Sequence, residues 1–251
     1  MDHRGAEIGS LKKNRRPGRG TGAQAVVRQI YDTLDAAYGG EHWHWMPDVA
    51  RPIDVIAGAV LVQHTNWRNA ERALDALREA GALNIDALAA MPEEHLATLV
   101  RASGTPSVKA RRLRALARTI RDAGGLGAFL VLPPAEMRTR LLATHGIGAE
   151  SADAIALYAA GKRIFVVDAY TRRVFRRLGH GPAGNGYEHW RAWFESALQG
   201  EPVEVFQRYH AWLVLHAKAV CHPAPRCAAC PLLAACAHGR ALATEASASR
   251  R

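Results

Sequence analysis

Cysteine is missing from the first 220 residues of this 251-residue chain; all four lie between Cys221 and Cys236. A disulfide framework spanning the chain is therefore excluded, and folding must rest on a core. No apolar run is long enough to cross a bilayer, and the N-terminus has no signal-peptide core. A soluble cytoplasmic protein with no membrane partner is expected. Acidic residues are in deficit, 23 Asp and Glu against 33 Lys and Arg, giving a formal charge of +10 and a pI near 9.9. Such a surplus favours nucleic acid or another acidic surface as partner. The chain shows no convincing strand, no long internal repeat, and no low-complexity segment outside its two ends. With 49% hydrophobic residues it can bury a large core, as one domain or two lobes.

What is present reads as helix after helix. Met1 to Gly22 is polar, Gly-rich and basic, with Lys12, Lys13, Arg15, Arg16 and Arg19, and reads as a flexible arm. Apolar Val27, Ile30, Tyr31 and Leu34 recur at helical spacing over residues 24–38. His42-Trp43-His44-Trp45 either lines a pocket for a flat ring or anchors a loop against the core. Ile53 to Val62 is apolar on all sides, as a buried helix requires, and empties into Gln63-His64-Thr65-Asn66-Trp67. Asn66 is placed to cap the next helix. Further helices are predicted near 67–80, 84–89, 93–100, 106–123, 187–198 and 202–219. In 106–123, Val108, Leu113, Leu116 and Ile120 form the apolar face, while Lys109, Arg111, Arg112, Arg114 and Arg118 read as a solvated one.

From Leu141 to Leu178 the pattern turns functional. A helix ends at the turn His145-Gly146-Ile147-Gly148, and another starts at once, near Glu150. Glycines either side of one apolar residue keep such a turn tight, and the free amides of the new helix point into it. That makes an anion site, suited to a DNA phosphate. The apolar run Ile164 to Val167 then leads to Asp168, set like an N-cap before a helix carrying Arg172, Arg173, Arg176 and Arg177.

The cysteines Cys221, Cys227, Cys230 and Cys236 are separated by five, two and five residues. Thiolates this close can wrap one metal centre, an iron–sulfur cluster or a structural zinc. Zinc usually draws on two short-spaced pairs, and only Cys227 and Cys230 form one. His222 and His238 read as polar surface, and residues 237–251 as a frayed, flexible tail.

Over residues 24–236 the chain resembles the endonuclease III-like branch of the helix-hairpin-helix DNA glycosylases. Gly146, Gly148 and Asp168 match the family's motif positions, which makes Asp168 the catalytic aspartate by that likeness. Gln63 matches the glutamine that fills the gap left by an extruded nucleotide, and the Cys set matches a [4Fe-4S] loop, with one residue fewer in the first interval. The resemblance implies an all-α, two-lobed fold with a cleft: a central lobe of residues 50–166, and a cluster-bearing lobe of residues 23–49 plus 167–236. It implies base excision from double-stranded DNA by a monomer at the nucleoid. The expected DNA contacts are Gln63, His145, Gly146, Ile147, Gly148 and Arg172, with Trp43, Trp45 and Trp67 at the base pocket. Bifunctional members carry a lysine where this chain has Glu150, so a monofunctional glycosylase is expected. LVQHTNW and GIGAESADAI look closest to the 3-methyladenine subgroup. The alternatives are an oxidised-pyrimidine or mismatch glycosylase with weak lyase activity, and a non-catalytic binder of damaged or abasic DNA.

Overall fold

The computed structural model describes residues 22–46 and 50–248. Among them are thirteen α-helices and no strand, so the all-α expectation holds. The basic arm expected for residues 1–22 lies outside the described residues except for Gly22, which opens α1 (Gly22–Tyr38). Then come α2 (Pro52–Leu61), α3 (Trp67–Glu79), α4 (Ile85–Ala90), α5 (Glu93–Leu99) and α6 (Pro106–Asp122). The short helices α7 (Leu126–Val131), α8 (Pro134–Ala143) and α9 (Ala149–Ala154) follow, and α9 runs on through one wide π turn, Ile155–Ala159. The chain ends with α10 (Ala169–Leu178), α11 (Tyr187–Ala197), α12 (Val203–Ala219) and α13 (Ala237–Ala248). No described helix is long and apolar enough to cross a membrane.

Local chemistry sets many of these limits. Asn66 and Asn84 accept the amides of Asn69 and Ala87 at 3.0 and 2.8 Å, capping α3 and α4. Proline opens α2, α6 and α8, where its missing N–H costs nothing. Gly179, at φ +87°, closes α10 in the left-handed conformation that a side chain disfavours.

Two apolar cores result. The first joins Ile56, Leu61, Leu77, Leu88, Leu113, Phe129 and Ile155. The second joins Val27, Leu34, Phe165, Phe175, Phe194, Tyr209 and Trp212. Two elements serve both: α2 gives Ile56 to the first and Val55 to the second, and α9 with its π turn gives Ile155 to the first and Tyr158 to the second. That double duty explains why α2 is apolar on every side. Its Gly58 lets the rings of Trp45 and Trp67 close in; a Cβ there would lie 3.3–3.4 Å from both.

Three features differ from the sequence reading. At the start of α6, Val108 is 40% exposed and Lys109 only 2%, so the apolar face begins one residue out of phase. The ammonium of Lys109 donates to the carbonyls of Leu61 and Ser103, and these bonds permit its burial. Helix α7 had no sequence signal. The segment expected to fray after Cys236 instead forms α13, because its alanines favour helix and it packs on α10.

An ion-pair network adds to the contact between the cores. Arg138 on α8 donates to buried Asp153 on α9 at 2.7 Å and to Glu188 on α11 at 2.5 Å. Arg191 on α11 pairs with Glu195 at 2.7 Å, and Glu195 also accepts the amide of Phe165 at 3.1 Å. Arg138→Ala removes the main partner of a carboxylate with no solvent access. The expected loss is about 3 kcal/mol, the lower end for a broken buried pair because Arg191 remains 4.0 Å away. It should be read as a lower urea midpoint at unchanged denaturant slope.

Candidate active site

The site lies where the shared elements meet. Between α8 and α9 the backbone turns through Gly146 at φ +80°, and Ile147 is buried beneath it with its amide on the Thr144 carbonyl at 3.1 Å. His145 is exposed on the turn. A Cβ on Gly146 would run into the side chain of Arg112, so this position needs both the conformation and the space that glycine allows. Gly148 is extended and leads into α9. Gln63, at the end of α2, reaches the same turn and donates to the Gly146 carbonyl at 3.2 Å.

Asp168 is 8% exposed. One carboxylate oxygen accepts the Thr171 amide at 2.7 Å, the N-cap bond of α10. The other lies 3.7 Å from His210 Nε2, an ion-pair distance rather than a hydrogen bond. His210 Nδ1 is 2.8 Å from the Tyr158 hydroxyl, which spends its own proton on the Gln207 carbonyl, also at 2.8 Å. Nδ1 must therefore donate, and a proton on Nε2 exists only in the imidazolium. Burial pushes the Asp168 carboxyl up, but His210 and the Thr171 amide outweigh it, and its pKa lies below the usual aspartate value. Glu150, exposed at the rim, moves the other way: desolvation by the cavity wall and the charge of Asp168 raise it. Two neighbouring carboxyls are thus driven apart, the arrangement in which one stays ionised while its neighbour holds a proton more readily.

Asp168 and Glu150 both line a cavity of about 550 Å³. Its walls include Trp43, Trp45, Trp67 and Tyr170, with Gln63 and Lys218 at its polar edge. Trp43 and Trp45 are 5% and 7% exposed, so they are anchored in the core, and they also line this space. Among the described residues the Trp45 indole N–H has no hydrogen-bond partner. His44 stacks on Trp67 at 3.6 Å between ring centres, and burial, helped by Lys218, lowers its pKa to about 3. The wall is flat, aromatic and uncharged at this point.

A second cavity of about 490 Å³ runs from Asp168 and Glu150 along the arginine face of α10. The four arginines divide. Arg173 donates to the carbonyls of Ala217 and Cys221, and Arg177 to those of Cys221, His222 and Pro223. These two anchor the cysteine segment. Among the described residues Arg172 Nε is buried without a hydrogen-bond partner, its guanidinium lies 5.8 Å from the Tyr187 ring centre and its charge acts on Glu150, and Arg176 makes a 3.3 Å contact to Asn185; both line this cavity.

The four cysteines are unpaired, with Cys221 and Cys236 buried. Cys221 Sγ receives Arg177 at 3.4 Å, Cys236 Sγ the Gly239 amide at 3.4 Å, and Cys230 Sγ lies 3.7 Å from His216 Nε2. Burial raises the Cys230 thiol, and the charges of the other three add to the shift. Cys230 thus feels the charge of the other three sulfurs, N–H donors reach Cys221 and Cys236, and Cys236 Sγ also donates to the Arg177 carbonyl at 3.3 Å. Among the described residues, no three His, Cys, Asp or Glu side chains are arranged to hold one ion.

Sequence reasoning missed His210, Tyr158, Tyr170 and Ser151. The available signal was the pair Gln207 and His210, polar residues at i and i+3 among the apolar Phe206, Tyr209, Ala211 and Trp212 of α12.

Residues 57–199 match the family described as HhH-GPD superfamily base excision DNA repair protein. A Methanocaldococcus jannaschii protein, assigned provisionally as a DNA repair glycosylase, is 36% identical over 202 residues, 77% of this chain and 87% of its own. The solved structure of an H. pylori 3-methyladenine DNA glycosylase, MagIII, bound to 1,N6-ethenoadenine, is 26% identical with a TM-score of 0.66, covering 78% of this chain and 97% of that one. Endonuclease III in a non-covalent DNA complex matches at 22% identity and a TM-score of 0.71, over 88% and 98% of the two chains, a likeness of fold.

Carbon-13 NMR of the side-chain carboxyls should show Glu150 titrating above the usual glutamate value of 4.5 and Asp168 below the aspartate value of 3.8. The linked stability has a definite sign. The contribution of Asp168 is present above its unfolded pKa and disappears as pH falls through its folded one, so Asp168→Asn should flatten that acid limb.

Proposed function

Because this chain belongs to the HhH-GPD superfamily and is a base excision repair DNA glycosylase, we propose that it is a monofunctional enzyme that removes an alkylated purine such as 3-methyladenine from double-stranded DNA. The observation that carries this reading is Asp168: a buried carboxylate held in its ionised form at the edge of an aromatic cavity, with a glycine turn alongside. A stacked base must first leave the duplex, at a cost of about a few kcal/mol. In this reading the amides of His145 to Gly148, with Arg172, hold the DNA backbone, and Gln63 fills the gap. The base enters the cavity that Trp43, Trp45 and Trp67 line, whose π-rich wall suits a flat ring, and a cationic alkylated one above all. As the glycosidic bond stretches, positive charge grows on the sugar, and the ionised Asp168 stabilises it or orients the attacking water. Glu150 stands where a Schiff-base amine would be needed, and a carboxylate cannot form one. The H. pylori relative's name and ligand support an alkylated or otherwise modified adenine. The setting we assign is a monomer on the nucleoid in the cytoplasm.

One observation favours a second reading. Of the lysines that could act in its place, Lys109 is buried against two carbonyls, but Lys218 lines the base cavity. Through Lys218 the enzyme would nick abasic DNA weakly.

Cys221, Cys227, Cys230 and Cys236 would hold a [4Fe-4S] cluster, which supplies a cross-link for the segment after α12. Arg173 and Arg177 tie that segment to the helix that Asp168 caps. Purified protein is therefore expected to contain iron and acid-labile sulfide in equal amounts; zinc without sulfide rejects the assignment.

Duplexes carrying single alkylated, oxidised, deaminated or mismatched bases, scored with and without alkali, test the reaction. Base release from alkylated purines with little nicking is expected. Asp168→Asn should slow single-turnover release about 10²–10³-fold, or roughly 3–4 kcal/mol. A strong borohydride-trapped adduct that survives in Lys218→Met would remove both the monofunctional claim and the Lys218 reading, and inertness toward every lesion would leave a binder.

A further inference from the structure

The side chain of Gln63, two residues beyond the end of α2, has all its polar groups engaged. Gln63 Oε1 accepts Arg112 Nη1 at 2.6 Å, while Gln63 Nε2 donates to the Gly146 carbonyl at 3.2 Å and to Ser151 Oγ at 3.0 Å. The stem of Arg112 lies against Gly146, in the space a side chain there would fill. Its Nε is buried without a partner, so the guanidinium is held in this place by its bond to Gln63 and its fit to the glycine turn. Three residues earlier on α6, buried Lys109 donates to the Leu61 carbonyl, on the last residue of α2. One helix thus holds the backbone at the end of α2 through Lys109 and the Gln63 side chain through Arg112.

We propose that Arg112 is a positioning residue that arms Gln63, fixing its amide against the glycine turn before DNA arrives. A free glutamine would lose the freedom of three side-chain torsions on entering a duplex; one already bonded at both ends of its amide has lost most of it. The arrangement also sets the gap-filling residue at a fixed offset from the turn that grips the backbone, so that one docking event presents both.

This inference rests on the reading of Gln63 as the residue that fills the duplex, and its test separates the two. Single-turnover base release is measured for Gln63→Ala, Arg112→Met and the double variant, each first shown to melt cooperatively. Each single variant should be slowed about tenfold, and the double variant no further than Gln63→Ala alone. No effect of Gln63→Ala overturns the reading of Gln63 and the inference with it. A normal Gln63→Ala loss with an additive double variant, or an Arg112→Met rate equal to or above that of the parent, overturns the inference alone. Independently of activity, the nitrogen-15 side-chain amide signal of Gln63 in the DNA-free protein should move toward free-glutamine values in Arg112→Met; an unmoved signal overturns the proposal. Should Arg112→Met fail to fold, Arg112→Lys, which keeps the charge and most of the stem but not the fork, serves in both measurements.

Discussion

A buried carboxylate must find compensation or give up its charge, and the local structure around Asp168 is the means by which it keeps that charge. Its compensation comes from the Thr171 amide, the open end of α10 and a histidine at ion-pair distance. The first two require the chain to be non-helical up to Asp168 and helical directly after. The preceding run obliges: Ile164 to Val167 are buried, and the Val167 amide is met by the Tyr187 hydroxyl at 3.4 Å. Tyr187 also faces Asp153, the centre of the ion-pair network on the hairpin helices. The segment that leads into Asp168, helix α9 and α11 are thus linked through a few polar contacts.

The cavity is a consequence of building two cores on shared elements. Where α2 and the π turn pass from one core to the other, the packed surfaces diverge, and aromatic rings line the opening instead of filling it. The π turn matters here. Its extra residue lets Ile155 face one core while Tyr158 points into the other, where its hydroxyl links Gln207 and His210 behind Asp168. Cations are apportioned by the same packing: two arginines of α10 hold the cysteine segment, the other two face the cavity beside Asp168, and Lys109 serves the end of α2.

Much of this was legible in order along the chain. Helix positions followed from apolar spacing and from Asn66 ahead of α3, both of which act within a turn or two. Asp168, the glycine turn and the cysteine set could be picked out because their chemistry is concentrated in a few neighbouring residues. The same local logic misplaced Val108 and Lys109, since spacing gives the period of an amphipathic helix but leaves its phase open at the ends, where a cation finds carbonyls from Leu61 and Ser103. Nor could it separate Arg173 and Arg177, committed to carbonyls more than forty residues away, from Arg172 beside them.

The sequence by itself determined an all-helical chain and the family it resembles, and it singled out candidate residues for the chemistry, because backbone propensity, capping and motif spacing are short-range and survive without a fold. Tertiary structure alone decided that His210 and Tyr158 stand behind Asp168, that Glu150 and Asp168 are driven to opposite protonation tendencies, and that Arg112 holds Gln63 to the hairpin. Each of these depends on burial and on partners brought together from distant parts of the chain, and a charge has no environment until the chain has closed around it.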